Sequence, residues 1–241
     1  MAGGLPGKSG TAILLDVESG KVKGRFDKLY DTVLAAAVSA DGGLVAVGGT
    51  NSKVRVFNAY DGSKLYELTA HNDWVTALRF SPDDQLLASA DRAGGLYVWE
   101  AETGREVHNL RGHNGGVTAL TFRPDSQLLV SAGKDGTARA WEMENGRQVR
   151  QWQAHTSACL SIECSTDGRL VTSGADGQIR IWDANGKNLR DLPHQDDWAY
   201  RAVFSPDAKS VIAGTFSGAI AFFDAATGKA LGAASTSPAI K

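Results

Sequence analysis

The strongest constraint on this chain is its spacing. A bulky residue recurs at Leu15, Phe57, Trp99, Trp141, Trp182 and Phe223, separated by 42, 42, 42, 41 and 41 residues. A glycine follows in the same phase at Gly20, Gly62, Gly104, Gly146, Gly186 and Gly228. A third series, led by Ser39, Ser81, Arg123, Ser165 and Ser205, marks a turn earlier in each unit. The segments beginning at His71 and His113 align almost residue for residue. Three registers that keep phase make an internal repeat the feature from which the fold has to be read.

Each unit reads as four short strands. In the clearest one, 75–80, 86–90, 96–100 and 106–110 are rich in β-branched, aliphatic and aromatic residues, with Pro, Gly, Asp and Asn clusters between them. No stretch carries a sustained helical period. A four-stranded unit cannot bury both of its faces alone, so consecutive units must stack. Four strands with a period in the low forties are the pattern of a β-propeller blade.

These residues resemble the WD-repeat family of β-propellers over nearly the whole chain. The family's Gly-His, Ser-Pro-Asp, Asp-Gly and Trp-Asp elements stand here as Gly112-His113, Ser81-Pro82-Asp83, Asp135-Gly136, Asp176-Gly177 and Trp182-Asp183. The resemblance implies a buried hydrogen-bonded tetrad at His113, Ser131, Asp135 and Trp141, and again at His155, Thr172, Asp176 and Trp182. In the unit before them Ala93 takes the acid's place, leaving His71, Ser89 and Trp99 and implying a less firmly pinned blade. The units around Phe57 and Phe223 lack the tetrad. The last unit looks like bacterial WD-repeat regions, some of which are fused to kinase or c-type cytochrome domains.

The blade count is uneven. Gly7 to Ala12 align with Gly133 to Ala138, so the chain starts two strands into a blade. The expected fold is all-β: five complete four-stranded blades plus a two-stranded N-terminal half blade, in one propeller domain over residues 1–241. The half blade covers 5–27, the blades about 28–69, 70–111, 112–153, 154–192 and 193–234, and the tail 235–241. Such a count leaves an open end with exposed strand edges. Missing blades of a larger propeller, another chain or an irregular six-unit closure would each deal with it.

Most chemistry is excluded. A net charge of −2 lacks the basic footprint of a general nucleic-acid binder. The longest near-apolar stretch, 210–223, is too short for a membrane span. Cys159 and Cys164 lie five apart on one strand, on opposite faces and roughly 16 Å from each other, so they cannot bridge. Two unpaired thiols suit a reducing, cytoplasmic setting. Residues 2–9 satisfy a relaxed P-loop pattern, yet a strand follows where a phosphate cradle needs a helix. His71, His113 and His155 fall one per blade, so no metal site and no cofactor is expected. The Ser–His–Asp set exists only as the structural tetrad, and no catalytic constellation remains.

What remains is surface. In the implied architecture, the loops into each first strand and those joining second to third strands share the channel face. Asp73, Trp74, Asp197 and Trp198 fall in the former loops, Arg92, Lys134 and Phe216 in the latter. Positions equivalent to the two tryptophans hold Thr32, Gly116 and Ala158, so the fold does not demand Trp there. Aromatics flanked by charge are typical interface anchors; packing against a neighbouring loop is the competing explanation. Arg201 stands where other units have Ala35, Ala77, Ala119 and Ser161, and is expected either to enter the channel or to pair with Asp196 or Asp197. The reading is a non-catalytic scaffold that binds a protein or peptide, or else an accessory propeller of a larger bacterial enzyme, kinase or cytochrome.

Overall fold

A computed structural model describes residues 2–4, 10–26, 29 and 31–235, with backbone alone for residues 2–4. The turn at Gly7, Lys8 and Ser9 and the tail beyond Ser235 lie outside the described residues. All described elements are strands.

Two compact units divide the chain, residues 1–117 and 118–241. The first holds three antiparallel sheets. Sheet I consists of β1 (Ala2–Gly4), β2 (Gly10–Leu15) and β3 (Val22–Phe26). Its two expected strands, β2 and β3, are joined by the three-residue β1, which pairs with Gly10 to Ala12. Sheet II is β4 (Val33–Val38), β5 (Leu44–Gly49), β6 (Val54–Asn58) and β7 (Lys64–Leu68). Sheet III is β8 (Val75–Phe80), β9 (Leu86–Asp91), β10 (Leu96–Glu100) and β11 (Glu106–Leu110). The second unit begins within β12 (Val117–Phe122), which heads sheet IV with β13 (Leu128–Gly133), β14 (Thr137–Glu142) and β15 (Gln148–Gln153). Sheet V is β16 (Cys159–Cys164), β17 (Leu170–Gly174), β18 (Ile179–Trp182) and β19 (Asn188–Asp191). Sheet VI is β20 (Ala199–Phe204), β21 (Ser210–Thr215), β22 (Ala219–Asp224) and β23 (Ala230–Ser235).

Within each unit the sheets pack face to face, because their middle strands are apolar on both sides. Ala46, Val54 and Val56 of sheet II meet Val75, Leu87 and Trp99 of sheet III in one buried cluster. Ala12 and Phe26 of sheet I meet Val45, Val47 and Phe57 of sheet II. In the second unit, Ala138 and Ala140 of sheet IV pack on Cys159, Ile162 and Trp182 of sheet V. Val171, Ile179 and Ile181 of sheet V then pack on Val211, Ala213 and Phe223 of sheet VI. At about 25 cal/mol per Å² of apolar surface, burial of these double-faced strands is the main stabilising term.

The repeat extends to its irregularities. The pairing of third and fourth strands slips at Leu15, Phe57, Trp99, Trp141, Trp182 and Phe223, each the closing residue of its unit. A bulge there bends the strand and increases its twist, which turns the large side chain into the interior. The turn between first and second strands is also repeated. The Ser39, Ser81, Ser165 and Ser205 hydroxyls donate to Asp41, Asp83, Asp167 and Asp207 at 2.5–2.6 Å. One residue in each such turn has a left-handed backbone: Gly42, Asp84, Ser126, Gly168 and Ala208.

Candidate partner-binding site

Buried tetrads lie beneath the loops of sheets III and V. In sheet V, Nδ1 of His155 lies 2.8 Å from Asp176 and Nε2 lies 2.9 Å from the Thr172 hydroxyl, which accepts the Trp182 indole N–H at 2.9 Å. An indole can only donate and an ionised carboxylate can only accept. The carboxylate therefore calls for a proton on Nδ1, and burial favours the neutral ring, whose Nε2 then accepts from the hydroxyl. Burial pushes His71 and His155 below the usual imidazole value, with their carboxylate partners offsetting part of the effect. Burial alone would raise Asp176, yet bonds from His155, Gln178 and Thr156 hold it at about 2.

Sheet III overturns the expectation of an incomplete tetrad. His71 bonds Ser89 at 2.7 Å and Trp99 bonds Ser89 at 2.8 Å, while Asp91 reaches Nδ1 of His71 at 2.8 Å. Asp91 stands two residues before the usual acid position now taken by Ala93. Its equivalent in sheet V is Gly174, where a Cβ would collide with the His155 ring. Gly95 completes the exchange, since a Cβ there would collide with the Asp91 carboxylate. The blade is pinned by an acid entering from a different backbone position. In sheet IV, Trp141 donates to Ser131 at 2.9 Å and Asp135 accepts from Thr137; His113 belongs to the first unit, the other three members to the second.

A second device holds the loop before the first strand in sheets II, III and V. Arg55, Tyr97 and Arg180 occupy the same place on the third strands of these sheets and donate to the carbonyls of Leu29, Ala70 and Ala154 at 2.9, 3.1 and 2.7 Å. Phenol and guanidinium do the same work because each puts a donor at the end of a long, half-buried arm.

Two hairpin mouths match each other, one in each unit, and the first stands on the tetrad of sheet III. In sheet III, Asp73 accepts the Trp74 backbone N–H at 2.7 Å, and the Arg92 N–H bonds the Trp74 carbonyl at 2.9 Å. The Arg92 guanidinium lies 4.0 Å over the Trp74 ring and 3.2 Å from the Asp73 carboxylate. In sheet VI, Asp197 caps Trp198 at 2.7 Å, and the Phe216 N–H bonds the Trp198 carbonyl at 3.1 Å. There the ring partner is Phe216, 5.7 Å from Trp198 and tilted by 52°. Trp198 and Phe216 are 50% and 71% exposed. Tyr200, on the strand that follows Trp198, adds another exposed ring that the repeat alignment does not single out.

The remaining candidates fall elsewhere. Lys134 is exposed in the turn between the second and third strands of sheet IV. Arg201 pairs with neither Asp196 nor Asp197 but with Glu163 of sheet V, 3.6 Å away. Asp197 already holds the N–H groups of Trp198 and Ser217, whereas Glu163 lies two residues beyond Ser161, the equivalent of Arg201, on the neighbouring first strand. The Ser89 and Thr172 hydroxyls are fully buried beneath indoles, where no substrate reaches them. Among the described residues no three His, Cys, Asp or Glu side chains converge on a metal position, and no helix is long and apolar enough to cross a membrane. Neither cysteine is in a disulfide, and burial raises the Cys159 thiol far above its usual value.

The family described as WD domain, G-beta repeat matches three times, at residues 62–100, 104–142 and 146–183. This chain is a WD-repeat protein. Each match runs from a turn glycine, through an outer strand, to the residue after the closing Trp, so the family's repeat is offset by one strand from the sheets. The fold is accordingly a WD-repeat β-propeller. The crystal structure of the computationally designed Ika8 protein is similar, at 26% identity and a TM-score of 0.80, covering 92% of this chain and 67% of that one. No curated protein matches the sequence.

Proposed function

We propose that this WD-repeat protein is a non-catalytic interaction scaffold that binds a protein or peptide through its hairpin mouths. The observation that carries the reading is the exposure of Trp74, Trp198 and Phe216 at hairpin mouths whose backbones are fixed by Asp73 and Asp197. Large aromatics at the mouth of a rigid hairpin provide contact area with little conformational entropy left to lose on binding. Asp73 and Arg92 flank one mouth and Asp197 the other, while Lys134 and Arg201 lie apart from them as further exposed polar contacts. The use of WD-repeat propellers for protein interaction supports the same reading. Partner capture from a lysate by the W74A/W198A variant tests it. Capture should fall at least tenfold while the melting temperature stays within a few degrees. Undiminished capture would overturn the assignment.

A further inference from the structure

The chain contains two copies of one mouth, and the filled copy indicates what the open one takes. The backbone frame is the same in both: an Asp capping the Trp N–H, and the residue after the second strand donating its N–H to the Trp carbonyl. In the first copy that residue is Arg92, whose guanidinium covers the Trp74 face and meets the Asp73 carboxylate. In the second it is Phe216, so the mouth has the indole and the carboxylate but no cation of its own. Asp196 adds an exposed carboxylate beside Asp197, and it makes no ion pair among the described residues.

We propose that the Trp198–Phe216 mouth binds an arginine side chain of a partner peptide, seated over the indole much as Arg92 sits over Trp74. This rests on the partner-binding reading and narrows it to one chemistry. A planar guanidinium stacks on an aromatic face and is weakly hydrated for a cation. The carboxylates of Asp196 and Asp197 favour a cation over a neutral or acidic side chain. Asp197 can accept further bonds, because an ionised carboxylate offers about four lone-pair sites and the Trp198 and Ser217 N–H groups use two. The Trp74 mouth, occupied by its own arginine, is the closed counterpart.

The test is an NMR titration of the full chain with a capped pentapeptide containing one arginine, and with its citrulline counterpart. The Trp198 indole resonance, assigned by its absence from W198A, reports the site. The arginine peptide should shift it saturably, with the citrulline peptide at least about fivefold weaker, as expected for loss of a cation–π contact. Phe216→Arg should fill the mouth from within and weaken the arginine peptide by a similar factor, at unchanged melting temperature. Arg92→Ala should make the Trp74 indole responsive. Citrulline binding within twofold of arginine, or full binding by Phe216→Arg, overturns the arginine assignment. If lysate capture by W74A/W198A is nevertheless reduced, the interaction reading stands without it; undiminished capture removes both.

Discussion

The Asp91 carboxylate meets Nδ1 of His71 at 2.8 Å from a backbone position where the neighbouring repeats keep glycine. Because both groups are buried, removing the acid strands the imidazole N–H. Asp91→Ala should cost about 1–3 kcal/mol. The double variant D91G/A93D restores the acid to the position used by Asp176 and should recover most of that loss. Urea denaturation of the two variants checks this; an equal loss in both would refute the exchange.

The tetrad of sheet V should behave as a unit. Thr172→Ala leaves both His155 and Trp182 without the hydroxyl and should cost about 2–3 kcal/mol. Adding Trp182→Phe should cost less than the two single changes summed, because the indole has already lost its acceptor. Sheet II shows the end point: Leu29, Val47 and Phe57 occupy the His, hydroxyl and Trp places, all buried. A double-mutant cycle by chemical denaturation measures the coupling, and strict additivity would contradict it.

Acid should weaken the fold in two stages. His71 and His155 are held below the ordinary imidazole value of 6.5, so the unfolded chain takes up protons that the folded chain refuses. Their contribution is complete above about pH 6.5 and declines as the pH falls through the unfolded value toward the lower folded ones. Asp176, held at about 2, contributes above its unfolded value near 4 and loses that contribution between about 4 and 2. Denaturation at pH 7.5, 5.5 and 3.5 should show both stages. H71Q/H155Q should flatten the first, despite a lower starting stability.

Ala208 is the position where a small gain is available. Its φ of 55° is left-handed, and the equivalent residues Gly42 and Gly168 adopt the same conformation without a Cβ. Ala208→Gly should stabilise by about 1 kcal/mol, less what is lost from the buried methyl and the freer unfolded chain. A rise in melting temperature of a few degrees is expected, whereas a fall would show that methyl burial outweighs the relief.

The phase of Trp99, Trp141 and Trp182 was enough to locate the strands, because a closing residue at fixed spacing dictates where each sheet turns. Side-chain geometry was less legible. Asp91 escaped notice because an alignment compares positions, whereas a hydrogen bond requires only that a carboxylate reach the ring from any position that can. The signal was present as a correlated triplet, Asp91 with Ala93 and Gly95. For Arg201 the sequence offers the channel or the nearby carboxylates of Asp196 and Asp197, whereas its partner Glu163 comes from the adjacent sheet, a neighbour that only packing supplies. Trp74 and Trp198 could be picked out as departures from the repeat. That one was capped by arginine and the other by phenylalanine gained meaning only when both rings were seen on the same frame.

The networks of sheets III and V close entirely within their own repeats: His71, Ser89, Asp91 and Trp99 in one, His155, Thr172, Asp176 and Trp182 in the other. Neither borrows a donor or acceptor from a neighbouring repeat. Each tetrad can therefore travel with its repeat as a cassette, although other bonds tie repeats together: the Ser161 hydroxyl of sheet V accepts the buried Ala202 N–H of sheet VI at 3.0 Å. Single residues within a tetrad lack that freedom, which is why one repeat could move its acid only together with two neighbours.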